Sequence, residues 1–253
     1  CGVCLGCRRD YSYMWAIRIV HESSLHPRNC FVTLTYRDSK DCSEEQFGKR
    51  QYVPDDWSLH PEHFVRFMKR LRKHFEPDRI RFFQVGEYGK KCKHGIDVKE
   101  VGCPLCNLGR PHHHACLFNV GFDDLEPYAS DGGRIRYTSP TLERIWGYGF
   151  VDVGEVNFQS ASYGARYILK KVNGAISADH YYNTDLDGNV VYLQKEYCTM
   201  SNRPGIGYNF YKAFRDDMFP SDLVPVPGHG VVRKMPRYYE KLFEKEMPRV
   251  LEE

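Results

Sequence analysis

The sequence predicts an α+β protein: a central antiparallel β-sheet flanked by helices, with a small cysteine-rich insertion that binds zinc. Three observations predict it. Short runs rich in β-branched and aromatic residues, "CFVTLTY" (30–36), "RIRFFQVGEYG" (79–89) and "HHHACLFNV" (112–120), read as strands. Amphipathic stretches with helical spacing lie before, between and after them. Six of the ten cysteines gather in two clusters, Cys1/Cys4/Cys7 and Cys92/Cys103/Cys106, a spacing that suits metal better than disulfides in a reducing compartment.

Taken in order, "DYSYMWAIRIVHES" has helix-like apolar spacing at Met14, Trp15, Ile17 and Ile19 and ends before Pro27. The first strand follows, and the polar stretch 37–57 reads as a loop. "SLHPEHFVRFMKRLRKHF" predicts an amphipathic helix capped near Ser58 or His60, with Phe64, Met68, Leu71 and Phe75 on one face and cations on the other. The second and third strands enclose a polar insertion at 90–110. Residues 123–140 read as a loop, "TLERIWGYGF" as a short helix, "FVDVGEV" as a strand and "SASYGARYILKKV" (160–172) as a helix. After Gly174 the pattern weakens. "NVVYLQKEYCTM" reads as extended, "GYNFYKAFRDD" as helical, and a charged helix is expected at 237–247. The expected organisation is a unit over 1–175 and an extension over 176–253 that packs on it or follows it.

Bulk composition narrows the function less than local pattern does. The 253 residues carry 36 basic and 33 acidic side chains, so overall charge announces no partner. Locally, "RFMKRLRK" (66–73) concentrates cations, and Arg66, Lys69, Arg70 and Lys73 are candidate phosphate contacts; an ordinary solvated face is the alternative. No apolar run reaches membrane-spanning length and no signal-peptide pattern opens the chain, so a soluble intracellular protein without a membrane partner is expected. The chain opens on Cys1 without a methionine, so residues preceding it are expected.

Strand alternation puts His112 and His114 on one face and His113 on the other, with Ala115 and Leu117. Two such imidazoles can converge on one divalent ion if a third ligand joins them; hydrogen-bonded histidines without metal are the other reading. On the 160–172 helix, Ala161, Ala165, Ile168 and Val172 form the buried stripe, while Tyr163, Tyr167, Lys170 and Lys171 lie opposite. Two tyrosines beside lysines suit phosphate chemistry, because cations favour the phenolate and hold an anionic substrate. Two half-buried tyrosines at a core edge are the alternative. Cys92, His94, Cys103 and Cys106 offer four ligands in a segment with too few apolar groups to order itself, so a tetrahedral zinc site is expected there, against a plain polar loop. Cys1, Cys4 and Cys7 read as a second, incomplete zinc set, its fourth ligand Cys30 or a residue before Cys1.

Together, "CGVCLGCRRDYS", "FVTLTY", "FQVGEYG", "GRPHHHACLF", "SYGARYILKK" and "MSNRPGIGY" resemble the replication initiators of small single-stranded-DNA phages, the Microviridae, and their gokushovirus branch above all. These belong to the HUH endonucleases, whose sheet is RRM-like. The likeness covers most of the chain, with three family motifs in family order. It implies that His112 and His114 are paired metal ligands and Glu87 the third, with Gln84 as the fallback, because glycines around Glu87 can break strand alternation. It implies that Tyr163 and Tyr167 are nucleophiles assisted by Lys170 or Lys171. His113 departs from the family, which usually has an aromatic or aliphatic residue at that position; it is expected to pack inward.

The resemblance further implies site-specific nicking and joining of single-stranded DNA at a phage origin, with Mg²⁺ or Mn²⁺ as catalytic metal. A 5′-phosphotyrosine intermediate would start and end rolling-circle replication in the cytoplasm of the bacterial host. A host polymerase would extend the freed 3′-OH, and a host helicase is a further candidate partner. Two other classes remain open. A zinc-stabilised single-stranded nucleic-acid-binding protein without chemistry leaves the tyrosines and His112/His114 unused. A metallohydrolase acting on a small substrate leaves the phenols and the basic helix idle.

Overall fold

Sheet pairing begins with strand β1, whose burial on both faces explains why "NCFVTLT" is almost continuously apolar rather than alternating. The structure is a computed structural model that describes residues 4–37, 54, 56–131, 134–166, 177, 179–185, 187–219 and 221–247. The helices are α1 (Leu5–Ser23), α2 (Pro61–His74), α3 (Pro140–Trp146), α4 (Phe158–Arg166), α5 (Tyr208–Met218) and α6 (Arg237–Glu246). The strands are β1 (Asn29–Thr35), β2 (Arg81–Tyr88), β3 (Pro111–Phe118), β4 (Glu126–Asp131), β5 (Arg134–Thr138), β6 (Val151–Gly154), β7 (Tyr182–Thr184), β8 (Val190–Tyr192), β9 (Tyr197–Met200), β10 (Val224–Val226) and β11 (Gly230–Val232).

Seven strands form one antiparallel sheet in the order β4-β5-β6-β1-β3-β2-β9. The α+β expectation is met. Alternation divides the central strands between two cores. Phe31, Phe83, Val85, Cys116 and Phe118 point to one face, where α1, α4, α5 and α6 cover them with Trp15, Ala161, Ala165, Tyr211 and Tyr239. Val32, Leu34, Ala115, Leu117 and Val153 point to the other, under Phe64, Phe67, Met68 and Leu71 of α2 and Trp146 of α3. Burying each such large apolar side chain contributes about 1.5–3 kcal/mol.

Three local expectations need correction. Helix α1 starts at Leu5, so it takes in Cys7; Cys4 is its N-cap, and its Sγ accepts a hydrogen bond from the Cys7 N–H at 3.5 Å. Glu126–Asp131 and Arg134–Thr138, within a stretch expected as loop, are strands β4 and β5. Their polar sequence lacks an apolar rhythm, so no strand signal marks them. Cys30 is buried in the α2-side core, while α1 and Cys4 belong to the other face, so Cys30 is not the fourth ligand of an N-terminal zinc set. Most of the expected 37–57 loop and the end of the 160–172 helix lie outside the described residues.

The last quarter of the chain is built into this framework. Strand β9 pairs with β2. The "NRPGIGY" stretch closes on a buried ion pair: Glu22 on α1 accepts from Arg81 Nε at 2.5 Å and from the Gly207 N–H at 2.8 Å. Arg81 also donates to the Pro204 carbonyl at 2.9 Å. Gly207 has φ +79°, and a Cβ there would meet the Tyr239 hydroxyl at 2.4 Å, so the position requires glycine.

Candidate active site

Antiparallel register sets Glu87 of β2 opposite His112 of β3, and Val85 opposite His114. Directly opposed residues share a face, so Glu87, His112 and His114 rise together. Glu87 Oε1 lies 2.7 Å from His112 Nε2 and 3.0 Å from His114 Nε2. Gln84 points the other way, where it hydrogen-bonds His113 and Thr199, and so cannot replace Glu87 as a ligand.

The surrounding hydrogen bonds orient both rings. His112 Nδ1 donates to the Arg110 carbonyl at 3.2 Å, and His114 Nδ1 lies 2.9 Å from Thr33 Oγ1 on β1. A carbonyl only accepts, so a neutral His112 turns the lone pair of Nε2 towards a carboxylate oxygen. A cation between them relieves that conflict. Protonated imidazoles satisfy the same carboxylate without a metal: burial opposes ionisation of Glu87, yet hydrogen bonds and charge from His112 and His114 in that form outweigh it and hold the carboxyl far below its usual range. Bonds of about 2.1 Å at right angles place neighbouring ligand atoms about 3 Å apart, so these separations fit a divalent ion.

His113 is fully buried on the opposite face, among Tyr36, Phe64, Trp146 and Tyr197. Thr199 donates to Gln84 Oε1 at 2.7 Å, which leaves the Gln84 amide to donate to His113 Nδ1 at 3.2 Å. The remaining His113 proton therefore faces Tyr36, whose hydroxyl donates in turn to His63 Nδ1 at 2.9 Å. Burial holds His113 well below its ordinary pKa, so it is neutral. The inward packing expected of His113 is met.

Tyr163 of α4 stands on the metal-ligand face. Its ring meets His114 edge-on at 5.3 Å and Phe31 at 6.1 Å, and it is 39% exposed. Beside it lies a cavity of about 410 Å³ lined by Thr33, His114, Arg136, Asp152, Tyr163 and Arg166, among others. Arg166 lies over the Tyr163 ring at 5.7 Å, while Arg136 pairs with Asp152 at 3.0 Å.

In the β2–β3 connection, His94 Nδ1 lies 3.5 Å from Cys103 Sγ, 3.5 Å from Cys106 Sγ and 4.0 Å from Cys92 Sγ. All four ligand atoms fall within 4.8 Å of one another. A tetrahedral zinc with Zn–S near 2.3 Å has edges of about 3.5–3.8 Å, so the set is close to that shape. Burial and the neighbouring thiols push Cys106 up to about 12. The cluster docks on β7 through the Thr184 N–H to the Leu105 carbonyl, 2.8 Å. It also joins the strand ends: Arg110 N–H donates to Lys91 and Gly89 N–H to Arg110, at 2.8 and 2.9 Å. A Cβ on Gly109 would stand 2.2 Å from the Gly89 carbonyl oxygen, so the two chains meet only because this position is glycine.

The stretch from β1 through the 160–172 helix region is also what related proteins share. Residues 29–172 match the model of the family described as replication-associated protein ORF2/G2P. The chain belongs to this family. Over 97% of its length it is 33% identical to the replication-associated protein ORF2 of Spiroplasma virus 4, covering 68% of that protein. Replication-associated protein VP4 of Bdellovibrio phage phiMH2K is 28% identical over 98% of this chain and 68% of its own. Replication-associated protein ORF4 of Chlamydia phage 1 is 29% identical over 97% of this chain and 53% of its own. No solved structure matches.

The structure brings Glu87, His112, His114 and Tyr163 together. Tyr167, Lys170, Lys171 and Cys1 lie outside the described residues. Arg66, Lys69, Arg70 and Lys73 sit on α2, across the sheet from the histidine–carboxylate cluster. Of these, Arg70 is committed to α3, donating to the Ile145 and Trp146 carbonyls at 2.6 Å each. Sequence reasoning missed Thr33, Arg136 and Arg166; Thr33 was legible as the polar residue of alternating parity in "FVTLTY", but its partner was not. Among the described residues, no helix is long and apolar enough to cross a membrane.

Proposed function

We propose that this chain nicks and rejoins single-stranded DNA at a phage replication origin, as an HUH endonuclease acting in phage replication inside the bacterial host. The observation that carries the reading is Tyr163 against His114, on the face that also holds Glu87 and His112. Glu87 Oε1, His112 Nε2 and His114 Nε2 would hold Mg²⁺ or Mn²⁺, which when bound polarises a phosphate as a Lewis acid. Thr33 and the Arg110 carbonyl keep the two imidazoles aimed inward.

The Tyr163 phenol gives up its proton and attacks the scissile phosphorus. A P–O bond to tyrosine forms, the bond to the 3′ oxygen breaks, and that oxygen takes up, through solvent, a proton equivalent to the one the phenol released and leaves as a 3′-OH. Arg166, which lines the same cavity, would neutralise the phosphate's charge. One phosphoester replaces another, so no nucleotide cofactor is required. Extension of the 3′-OH by a host polymerase regenerates the origin, Tyr167 cleaves it, and the released 3′-OH attacks the first phosphotyrosine to close a circle. Lys170 and Lys171 assist the second phenol in this scheme. Zn²⁺ on Cys92, His94, Cys103 and Cys106 orders the insertion that joins β2 to β3.

Incubation with labelled single-stranded origin DNA and Mn²⁺ tests the reading. A covalent adduct that maps by peptide sequencing to Tyr163 or Tyr167 is expected. Binding without any adduct would leave a zinc-stabilised nucleic-acid-binding protein in its place.

A further inference from the structure

Alongside the Tyr163 cavity a second cleft, of about 720 Å³, opens between α1, the start of α4 and the turn joining β10 to β11. Arg9, Tyr13, Phe158, Ser162, Arg166 and His229 line it, and Gln159 and Arg166 line both cavities, so the two are neighbours. Three features give the cleft a chemical character. Among the described residues no aspartate or glutamate lines it, in a chain with 33 of them. Arg9 and Arg166 have no carboxylate partner among the described residues, whereas nearby Asp10 is paired with Lys234. Exposed His229 lies flat on Phe158, with centroids 3.8 Å apart and planes 8° from parallel, and Tyr13 meets Phe158 edge-on at 5.4 Å.

We infer that this cleft binds the nucleotides of single-stranded DNA next to the scissile phosphate, one base stacking on His229 and its phosphates lying against Arg9 and Arg166. The inference deepens the proposed function and rests on it for the position of the scissile phosphate, but the cleft's chemistry stands on its own residues. Unpaired cations along an acid-free wall neutralise a backbone, and a planar ring held by a second ring is an ordered platform for a base. A double helix keeps its bases stacked inside and cannot offer one to His229. The turn that carries His229 belongs to the last quarter of the chain, so this segment would take part in binding substrate as well as completing the sheet.

The test is fluorescence anisotropy with the full chain in EDTA, where no cleavage occurs, using a fluorescein-labelled single-stranded DNA of mixed sequence. His229→Ala should weaken binding roughly 5–100-fold, the range for loss of one stacked base. On an otherwise identical abasic strand that loss should vanish, while Arg9→Gln should weaken both strands alike. Both side chains are exposed, and unchanged melting temperatures would show that the variants fold. Should His229→Ala misfold, Arg9→Gln on the surface of α1 keeps the test open. Wild-type affinity for the mixed strand in both variants would overturn the inference. An adduct that forms normally alongside that result would sink the cleft and spare the nickase; binding that depends on His229 without any adduct would do the reverse.

Discussion

Tyr163 and His114 meet edge to face, with ring centroids 5.3 Å apart and planes at 81°. A phenol from a helix is thereby fixed beside an imidazole of the central strand, and that imidazole shares the Glu87 carboxylate with His112.

Tyr163→Phe removes a hydroxyl from a partly exposed ring and should change stability by less than about 0.5 kcal/mol. DNA binding should persist. Adduct formation should fall with either Tyr163→Phe or Tyr167→Phe and disappear in the double variant; a phosphotyrosine recovered from the double variant would remove both from the chemistry.

Thr33→Val should keep the fold and lower Mn²⁺ affinity about 10–100-fold, the usual effect of losing the partner that orients a ligand histidine. His112→Ala, His114→Ala and Glu87→Gln should each abolish measurable binding in a calorimetric titration. His113→Ala should behave differently. It breaks the Gln84–His113–Tyr36 chain and costs about 1–3 kcal/mol of stability, but the folded fraction should still bind Mn²⁺. Loss of binding in folded His113→Ala protein would contradict the division of the three histidines between faces.

Acid should destabilise the protein through His21. Its Nε2 donates to the Pro225 carbonyl at 2.8 Å, so Nδ1 accepts from the Tyr239 hydroxyl at 2.9 Å, and the ring stacks on Phe210. Burial lowers its pKa to about 4. Because the folded value lies below the unfolded value near 6.5, the contribution is complete above pH 6.5 and is lost as pH falls through 4. By pH 5 about 2 kcal/mol should be gone. His63 and His113 titrate in the same direction, so the informative quantity is the difference between wild type and His21→Gln in the slope of unfolding free energy against pH, measured by urea unfolding. Equal slopes would rule His21 out.

Elemental analysis of protein purified without added metal should give at least one zinc per chain, and Cys103→Ser with Cys106→Ser should remove one. Since the insertion joins the ends of β2 and β3 beside Glu87 and His112, the variant should also lose Mn²⁺ affinity. Full Mn²⁺ affinity in zinc-free protein would make the insertion a bystander.

What could be read from the chain follows from how local each signal is. The runs around Val32, Val85 and Ala115 are buried on both faces and read as strands, and alternation alone separated His113 from His112 and His114. Polar strands β4 and β5 bury little and carry no such rhythm. Register decides whether Glu87 or Gln84 faces the histidines, and register depends on a partner strand that spacing along one strand does not reveal. The same holds for Arg166 and Thr33: each is one polar residue in its own element, and only packing of α4 and β1 on β3 gives it a role. Arg70 shows the converse. Its place in a cationic run resembled a phosphate contact, while the last carbonyls of α3 claim its guanidinium.

Strand β9 carries a consequence for any shortened form of the protein. The family-matched span 29–172 omits β9, which pairs with β2 in the central sheet. Cutting the chain after α4 would strip β2 of its neighbour and leave a bare row of N–H and C=O groups on a strand that is buried on both faces. It would also uncover Phe83 and Val85 by removing Phe210, Tyr211 and Tyr239. Such a fragment should self-associate through that raw margin, and its inactivity would then say nothing about Tyr163.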